Sequence, residues 1–79
     1  MQSPQLIEMF RSLASEITER DFSHVQSGQS ISELGIDSLQ MLELIGEMER
    51  TLNIHIPEER LVGLEKVQQL LSLVDEIRG

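Results

Sequence analysis

The segment ELGIDSLQMLELIGEMER, residues 33–50, contains the clearest folding signal in this chain. Asp37 is followed three residues later by Gln40, a spacing that forms a capping box at the start of a helix. The sequence therefore predicts a second helix that begins at Ser38. One side of this helix carries the apolar series Leu39, Leu42, Ile45, Met48 or Glu49, and Leu52.

A first helix and a long loop precede this segment. Ser3 followed by Pro4 is typical of an N-cap and a first helical position, and apolar spacing then predicts helix one from about Pro4 to Glu19. From Arg20 to Asp37 the helical periodicity lapses, so this segment is predicted to be a long loop held to the core by a few apolar side chains. Connections of this length are uncommon in a small domain and are often functional.

Two further helices follow. Asn53 is a helix-stopping residue, and Pro57 fits the first turn of a short third helix, PEERLV, which Gly63 closes. Apolar residues at i, i+3, i+4 and i+7 predict a fourth helix from about Glu65 to Ile77. We expect an all-α fold: a small four-helix bundle with three longer helices, a short third helix and a long loop between helices one and two. Residues 1–79 are expected to form a single domain.

Composition narrows the possible functions. The 79 residues include 14 acidic and 6 Lys or Arg residues, giving a net charge of -8, which disfavours nucleic acid and favours partners with basic patches. The absence of cysteine excludes disulfides, a thiolate nucleophile and a cysteine-based zinc site. No apolar run is long enough to span a membrane, and the N-terminus lacks a signal-peptide pattern. We therefore expect a cytoplasmic monomer that does not insert into membranes.

Ser38 is the first candidate for chemistry. It is not expected to be a hydrolytic nucleophile, because GIDSLQ is not a G-x-S-x-G elbow and the chain has only His24 and His55 as histidine bases. From the local pattern alone, helping to cap the second helix is the simplest role. Asp37 already supplies a capping side chain, however, and leaves the serine hydroxyl free. Free N–H groups and the helix dipole make this position suitable for a phosphate ester.

The other polar residues suggest no metal centre. His24 and His55 lack neighbouring ligands at metal-binding spacing. The acidic pairs Glu43/Glu47 and Glu58/Glu59 lack the alternating pattern and central glycine of a calcium loop. A solvated helix face explains these pairs, and docking of a basic partner is the alternative.

The longer stretch LGIDSLQMLELIGEMERTLNIHIPEE resembles the acyl carrier protein family, and the resemblance extends over essentially the whole chain. It implies that Ser38 is the attachment site of 4'-phosphopantetheine, which a separate phosphopantetheinyl transferase transfers from coenzyme A. Asp37 and Leu39 match the residues that flank the modified serine. The protein would then not be an enzyme but a carrier of acyl groups as thioesters. In a chain without cysteine, the thiol can come only from the prosthetic group.

The resemblance also implies a partner surface on the second and third helices. Acyl-loading, condensing and tailoring enzymes with basic docking patches would bind there. Its residues are Leu39, Leu42, Glu43, Glu47, Glu49, Glu58 and Glu59. The chain departs from the usual acidic pattern at Gln40, Gly46, Arg50 and Arg60, and a narrower set of partners is therefore expected.

The carried group and the pathway remain open at this point. A cleft between helices two and three, lined by Leu42, Ile45, Ile56, Leu61 and Leu64, could shelter an acyl chain. Fatty acid, polyketide and related secondary-metabolite biosynthesis are the leading settings, because LGIDSL favours an acyl carrier. A peptidyl or aryl carrier of a nonribosomal peptide pathway is the alternative within the class. An unmodified acidic helical adaptor is the alternative from another class, and it predicts that Ser38→Ala leaves function intact.

Overall fold

The computed structural model describes residues 4–79, and within them it is helical with no strand. The helices are α1 (Pro4–Thr18), α2 (Ser38–Leu52), α3 (Glu58–Leu61) and α4 (Val67–Arg78). A 3₁₀ helix, Ile31–Leu34, lies within the long loop. The predicted all-α architecture with a short third helix is confirmed. The N-cap predicted at Ser3 lies outside the described residues.

The core consists of apolar side chains from α1, α2, α4 and the connecting segments, with α1 packed against α2. Its buried members are Leu6, Phe10, Ala14, Phe22, Val25, Leu34, Leu44, Ile45, Met48, Ile56, Val67, Leu70, Leu71, Leu73 and Val74. Within residues 4–79 no polar or charged residue is buried. Apolar packing therefore holds this small domain together.

The buried face of α2 differs from the predicted apolar side. Leu44, Ile45 and Met48 are buried, whereas Leu39 and Leu42 are 67% and 59% exposed. A helix has 3.6 residues per turn, so steps of three residues advance only about 300° and drift around its surface. The series through Leu39 and Leu42 thus starts on the solvent side and reaches the core only at Ile45.

The long loop is bound to α4 through its backbone as well as to the core through apolar side chains. The N–H of Val67 donates to the carbonyl of Gln29 at 3.0 Å, and the N–H of Gln68 donates to the carbonyl of Ser27 at 2.7 Å. The first N–H groups of a helix have no acceptor within the helix itself. The loop therefore acts as the N-terminal cap of α4.

Helix ends lie within two residues of their predicted positions. α1 ends one residue early because Glu19 adopts a left-handed conformation with φ 56°. Pro57 is the N-cap of α3 and not its first residue. α4 starts two residues later than predicted, because the Gln69 Oε1 accepts the N–H groups of Glu65 and Lys66 at 2.7 and 2.8 Å.

Candidate functional site

Ser38 occupies the first position of α2 and is exposed. The predicted capping box is present: the N–H of Gln40 donates to Asp37 Oδ1 at 2.7 Å, and the N–H of Asp37 donates to Gln40 Oε1 at 3.3 Å. Because Asp37 caps the helix, the Ser38 hydroxyl has no hydrogen-bond partner within residues 4–79. The hydroxyl is accessible and available for modification.

The backbone at the start of α2 favours negative charge. The helical hydrogen bonds begin with the N–H of Met41, which donates to the carbonyl of Asp37 at 2.9 Å. In the described part of the chain, the N–H groups of Ser38 and Leu39 have no acceptor. Free N–H groups at the positive end of a helix dipole stabilise an anion. A phosphate ester on the serine would therefore lie in a favourable electrostatic position.

The turn that leads into this site is bound by Arg20. Its Nη2 donates to the carbonyls of Leu34 and Gly35, both at 3.0 Å, and the guanidinium lies 5.0 Å from the centre of the Phe22 ring. Gly35 adopts φ 69°, and a Cβ there would lie 3.3 Å from Arg20 Nη1. Sequence reasoning placed Arg20 only at the start of the loop, because nothing in the local pattern indicates a contact with residues this far along the chain.

Three large apolar side chains are exposed on α2 and directly after α3. Leu39 and Leu42 lie on α2, and Val62, which is 83% exposed, follows α3 directly. Val62 was not predicted as a site residue. An exposed valine has the same sequence signature as a buried one, so only the structure distinguishes them.

An apolar cleft of about 210 Å³ opens beside α2 and α3. It is lined by Ile31, Met41, Leu42, Ile45, Leu61, Leu64 and Leu70. Four of the five predicted lining residues are present, but Ile56 is buried in the core and does not line the cleft. The volume is below the roughly 300–1,000 Å³ of ordinary small-molecule pockets. A long apolar group would therefore enter only if core side chains moved.

The acidic residues of the predicted partner surface differ in whether they form ion pairs within the fold. Glu43, Glu58 and Glu59 are exposed and form no ion pair within residues 4–79. Glu47 forms an ion pair with Arg50, one turn further along α2. Three carboxylates are therefore free to meet an external cation, whereas Glu47 already has an internal partner.

Glu49 is bound within the fold. Its Oε2 accepts a hydrogen bond from the N–H of Ile56 at 2.7 Å and lies 3.4 Å from Nδ1 of His55. The side chain is 28% exposed. Sequence reasoning assigned Glu49 to the partner surface alone, and the structure adds this internal contact.

Residues 4–79 show neither a metal-binding cluster nor a membrane-spanning helix. No group of three or more His, Cys, Asp or Glu side chains is close enough to hold a metal ion. None of the helices has the length and apolar character needed to cross a membrane.

Comparison with known proteins identifies the family. Residues 8–74 match the phosphopantetheine attachment site family, and the chain therefore belongs to this family. Its cofactor is accordingly 4'-phosphopantetheine, bound covalently. The geometry around Ser38 fits this group, because it combines an accessible hydroxyl with a helix start that favours a phosphate.

The similar sequences include small carriers and large synthases. The chain is 36% identical over 45 residues to an acyl carrier protein homolog of Mycoplasmopsis pulmonis, covering 57% of this chain and 62% of that protein. It is 34% identical over 62 residues to the chloroplastic acyl carrier protein 5 of Arabidopsis thaliana, covering 78% and 45%. It is also 29% identical over 69 residues to 3-methylorcinaldehyde synthase of Sarocladium schorii, covering 87% of this chain and 2% of the synthase. The chain thus spans less than two thirds of each relative.

The fold also matches a solved structure. The crystal structure of an acyl carrier protein from Thermotoga maritima superimposes with a TM-score of 0.84 at 29% identity, covering 92% of this chain and 86% of that one. The resemblance to acyl carrier proteins and the four-helix architecture are confirmed.

Proposed function

We propose that this chain carries acyl intermediates as thioesters on a 4'-phosphopantetheine arm attached to Ser38. The supporting observation is the exposed hydroxyl of Ser38, which has no hydrogen-bond partner within residues 4–79 and lies beside the free N–H groups of α2. Among the three longer helices, α2 alone begins with a hydroxyl-bearing residue, since α1 begins at Pro4 and α4 at Val67. Ser38 therefore combines accessibility with a setting that stabilises a phosphate.

The chain's own residues present the arm and perform no chemical step. When bound, the prosthetic group supplies the thiol that the protein lacks, since the sequence contains no cysteine. Asp37 caps α2 by accepting the N–H of Gln40. The N–H groups of Ser38 and Leu39 have no acceptor within residues 4–79. We therefore place the protein among non-enzymatic carriers, with attachment catalysed by a separate phosphopantetheinyl transferase.

Partner enzymes would meet the exposed face formed by α2 and α3. Leu39 and Leu42 offer apolar contact area, and the free carboxylates of Glu43, Glu58 and Glu59 attract basic docking patches. Such charges mainly raise the association rate and orient the encounter, whereas buried apolar contacts slow dissociation. We propose acyl-loading, condensing and tailoring enzymes as these partners.

Glu47 and Glu49 can bind a partner only if they share or give up a contact within the fold. Glu47 is paired with Arg50, and Glu49 accepts the N–H of Ile56. A basic partner side chain could share Glu47 with Arg50 at little cost, because both are partly exposed. Displacing the Ile56 N–H from Glu49 would leave a backbone donor without its acceptor. Glu47 is therefore the more accessible partner contact of the two.

The biological setting is part of the proposal. Fatty acid, polyketide or related secondary-metabolite biosynthesis fits the similarity to small acyl carrier proteins. It also fits the similarity to a non-reducing polyketide synthase of Emericella nidulans, which is 29% identical over 70 residues that cover 89% of this chain and 3% of the synthase. We propose a single domain over residues 1–79 that acts as a cytoplasmic monomer. A peptidyl or aryl carrier would use the same serine but a different loading enzyme.

The decisive test is the intact mass after incubation with coenzyme A and a broad-specificity phosphopantetheinyl transferase. We expect the wild-type chain to gain one phosphopantetheinyl group and Ser38→Ala to gain none. Ser32→Ala is the matched control, since Ser32 is another exposed serine of the same region, and it should be modified like the wild type. Modification of Ser38→Ala would refute the assignment of the arm to Ser38. No modification of the wild type beside a carrier that is modified would refute the carrier proposal and favour the adaptor.

The pathway is tested with the modified protein. Acceptance of an acyl group from an acyl transferase would support the acyl carrier assignment. Loading only by an adenylating enzyme with an amino or aryl acid would support the peptidyl or aryl carrier instead.

A further inference from the structure

We infer that Arg20 is a positioning residue for the modification of Ser38, an inference that rests on the proposed function. Arg20 lies just beyond α1, and its side-chain hydrogen bonds and ring contact go to Leu34, Gly35 and Phe22. It acts on the turn through which the chain enters α2. We expect Arg20 to raise the fraction of molecules in which that turn holds Ser38 in the geometry that a transferase binds.

The guanidinium of Arg20 joins two consecutive carbonyls. Its Nη2 donates to Leu34 and Gly35 at 3.0 Å each. These carbonyls lie at the end of the 3₁₀ helix, where the last acceptors of a helix lack partners of their own. The positive charge is also favourable at the carbonyl end of a helical turn. The Arg20 side chain thus supplies hydrogen-bond donors to both carbonyls and holds the turn that ends two residues before Asp37.

Arg20 itself is held in place by a buried ring. The guanidinium carbon lies 5.0 Å from the centre of the Phe22 ring, a cation–π distance, and Phe22 belongs to the core. The N–H of Phe22 donates to Ser15 Oγ at 3.0 Å, which anchors this segment to α1. The contact therefore links the entry to α2 with the hydrophobic core and with α1.

The other backbone hydrogen bonds of this turn do not reach α1. The N–H of Ile31 donates to the carbonyl of Glu65 at 2.8 Å, and the remaining bonds are local. The N–H of Glu33 donates to the carbonyl of Ser30 at 3.1 Å, and the N–H of Gly35 donates to the carbonyl of Ser32 at 3.5 Å. Local bonds keep the shape of the turn but do not fix its place against α1. The Arg20 contacts supply that second function, together with the buried side chain of Leu34.

Loss of these contacts should change the apparent affinity for the transferase, not the chemical step. If only a fraction of molecules hold the turn in the competent arrangement, the apparent dissociation constant rises in inverse proportion to that fraction. A single net hydrogen bond shifts an equilibrium by about fivefold. We therefore expect KM for the carrier to rise by up to about fivefold in Arg20→Met, with kcat within about twofold of the wild type.

Arg11 provides a matched control within the same chain. Its Nε donates to the carbonyl of Val25 at 2.8 Å, so it too binds the long loop to α1 through a guanidinium. Val25 lies in the first half of the loop, whereas Leu34 and Gly35 lie near its end at Ser38. Arg11→Met should reduce stability in a similar way while leaving KM for the transferase within about twofold of the wild type.

The experiment measures KM and kcat for phosphopantetheinyl transfer from coenzyme A to wild type, Arg20→Met, Arg20→Lys and Arg11→Met. Arg20→Lys should fall between wild type and Arg20→Met, because an ammonium group can reach a carbonyl but lacks the planar fork. Amide hydrogen exchange at residues 34–39 should accelerate in Arg20→Met and not in Arg11→Met. If Arg20→Met does not fold, Arg20→Lys alone carries the comparison.

An equal KM for Arg20→Met and Arg11→Met would overturn the inference, as would a loss confined to kcat. An unmodified wild-type chain would instead refute the proposed function. The two failures are therefore distinguishable.

Discussion

The carboxylate of Glu49 accepts a hydrogen bond from the backbone N–H of Ile56, with 2.7 Å between Oε2 and the nitrogen. Glu49 lies in the last turn of α2, and Ile56 is a buried residue of the connection to α3. One acidic side chain therefore sets the course of the chain between two helices that we propose as the partner surface. A residue expected only to meet partner enzymes also maintains the surface to which it belongs.

Replacing Glu49 should lower the free energy of unfolding. Glu49→Ala removes the acceptor of the Ile56 N–H and should cost about 1 kcal/mol, and Glu49→Gln should cost less because its carbonyl can still accept. Urea denaturation measures the difference. Glu43→Ala is the control, since Glu43 is exposed on the same helix and should change stability by less than about 0.5 kcal/mol. Equal effects of the two alanine variants would contradict a structural role for Glu49.

Gly35 should be sensitive to substitution although it is exposed. Gly35→Ala places a Cβ at φ 69° and 3.3 Å from Arg20 Nη1, so we expect a loss of about 1 kcal/mol or more in the free energy of unfolding. Gly28→Ala is the control, because a Cβ there meets nothing within 4 Å and its φ is not positive. It should be neutral or slightly stabilising. Thermal unfolding compares the two, and a loss at both positions would argue against the specific strain.

Gly46 should gain stability on substitution. It lies within α2, and a Cβ there would meet only the Arg50 guanidinium at 3.9 and 4.0 Å, which is ordinary contact. Glycine in a helix is about 0.5–1 kcal/mol less favourable than alanine. Gly46→Ala should therefore raise the free energy of unfolding by about that amount in urea denaturation. A decrease would indicate that the groove between α1 and α2, which is lined by Glu16, Ile17, Leu42 and Gly46, needs the space.

Asp37 can be tested for recognition separately from capping. Asn is as good an N-cap as Asp, so Asp37→Asn should lose less than about 1 kcal/mol, the part due to the helix dipole. Asp37→Ala should lose about 1 kcal/mol more. If transferases recognise the negative charge of Asp37, the Asp37→Asn variant should be modified more slowly at low salt, and its modification rate should depend less on salt. An unchanged rate and salt dependence would limit Asp37 to capping.

The cleft beside α2 and α3 predicts a dependence on acyl length. Its volume of about 210 Å³ suits a short apolar segment, and each buried CH₂ contributes roughly 0.8 kcal/mol. An octanoyl thioester should shift the amide resonances of Leu61, Leu64 and Leu70 relative to the unloaded carrier, and an acetyl thioester should not. NMR spectra of both loaded forms test this. Identical spectra for the two would mean that the acyl chain stays outside.

The features predicted correctly depend on neighbouring residues. The capping box of Asp37 and Gln40 and the helix stop at Asn53, which adopts φ 55°, are both present. Each arises from side-chain and backbone chemistry within one turn of the chain, so the local sequence is sufficient to predict it.

The features that were missed depend on residues far apart. The contact of Arg20 with Leu34 and Gly35, and the capping of α4 by the loop, leave no periodic or local pattern. The exposed Val62 was missed for another reason: apolar residues are common on protein surfaces, and the sequence does not indicate which ones are covered. The assignment of the seven residues to a partner surface stays a prediction.

The hydrogen bonds from Val67 and Gln68 to the loop carbonyls have a consequence for the growing polypeptide. The loop leaves the ribosome well before the start of α4, and until then the carbonyls of Gln29 and Ser27 lack these donors. The framework around the entry to α2 is therefore completed only when the last helix forms. We expect chains in which α4 has already been synthesised, and not shorter nascent chains, to be modified efficiently. A chain that stops at Lys66 should accept the prosthetic group far more slowly than the full sequence.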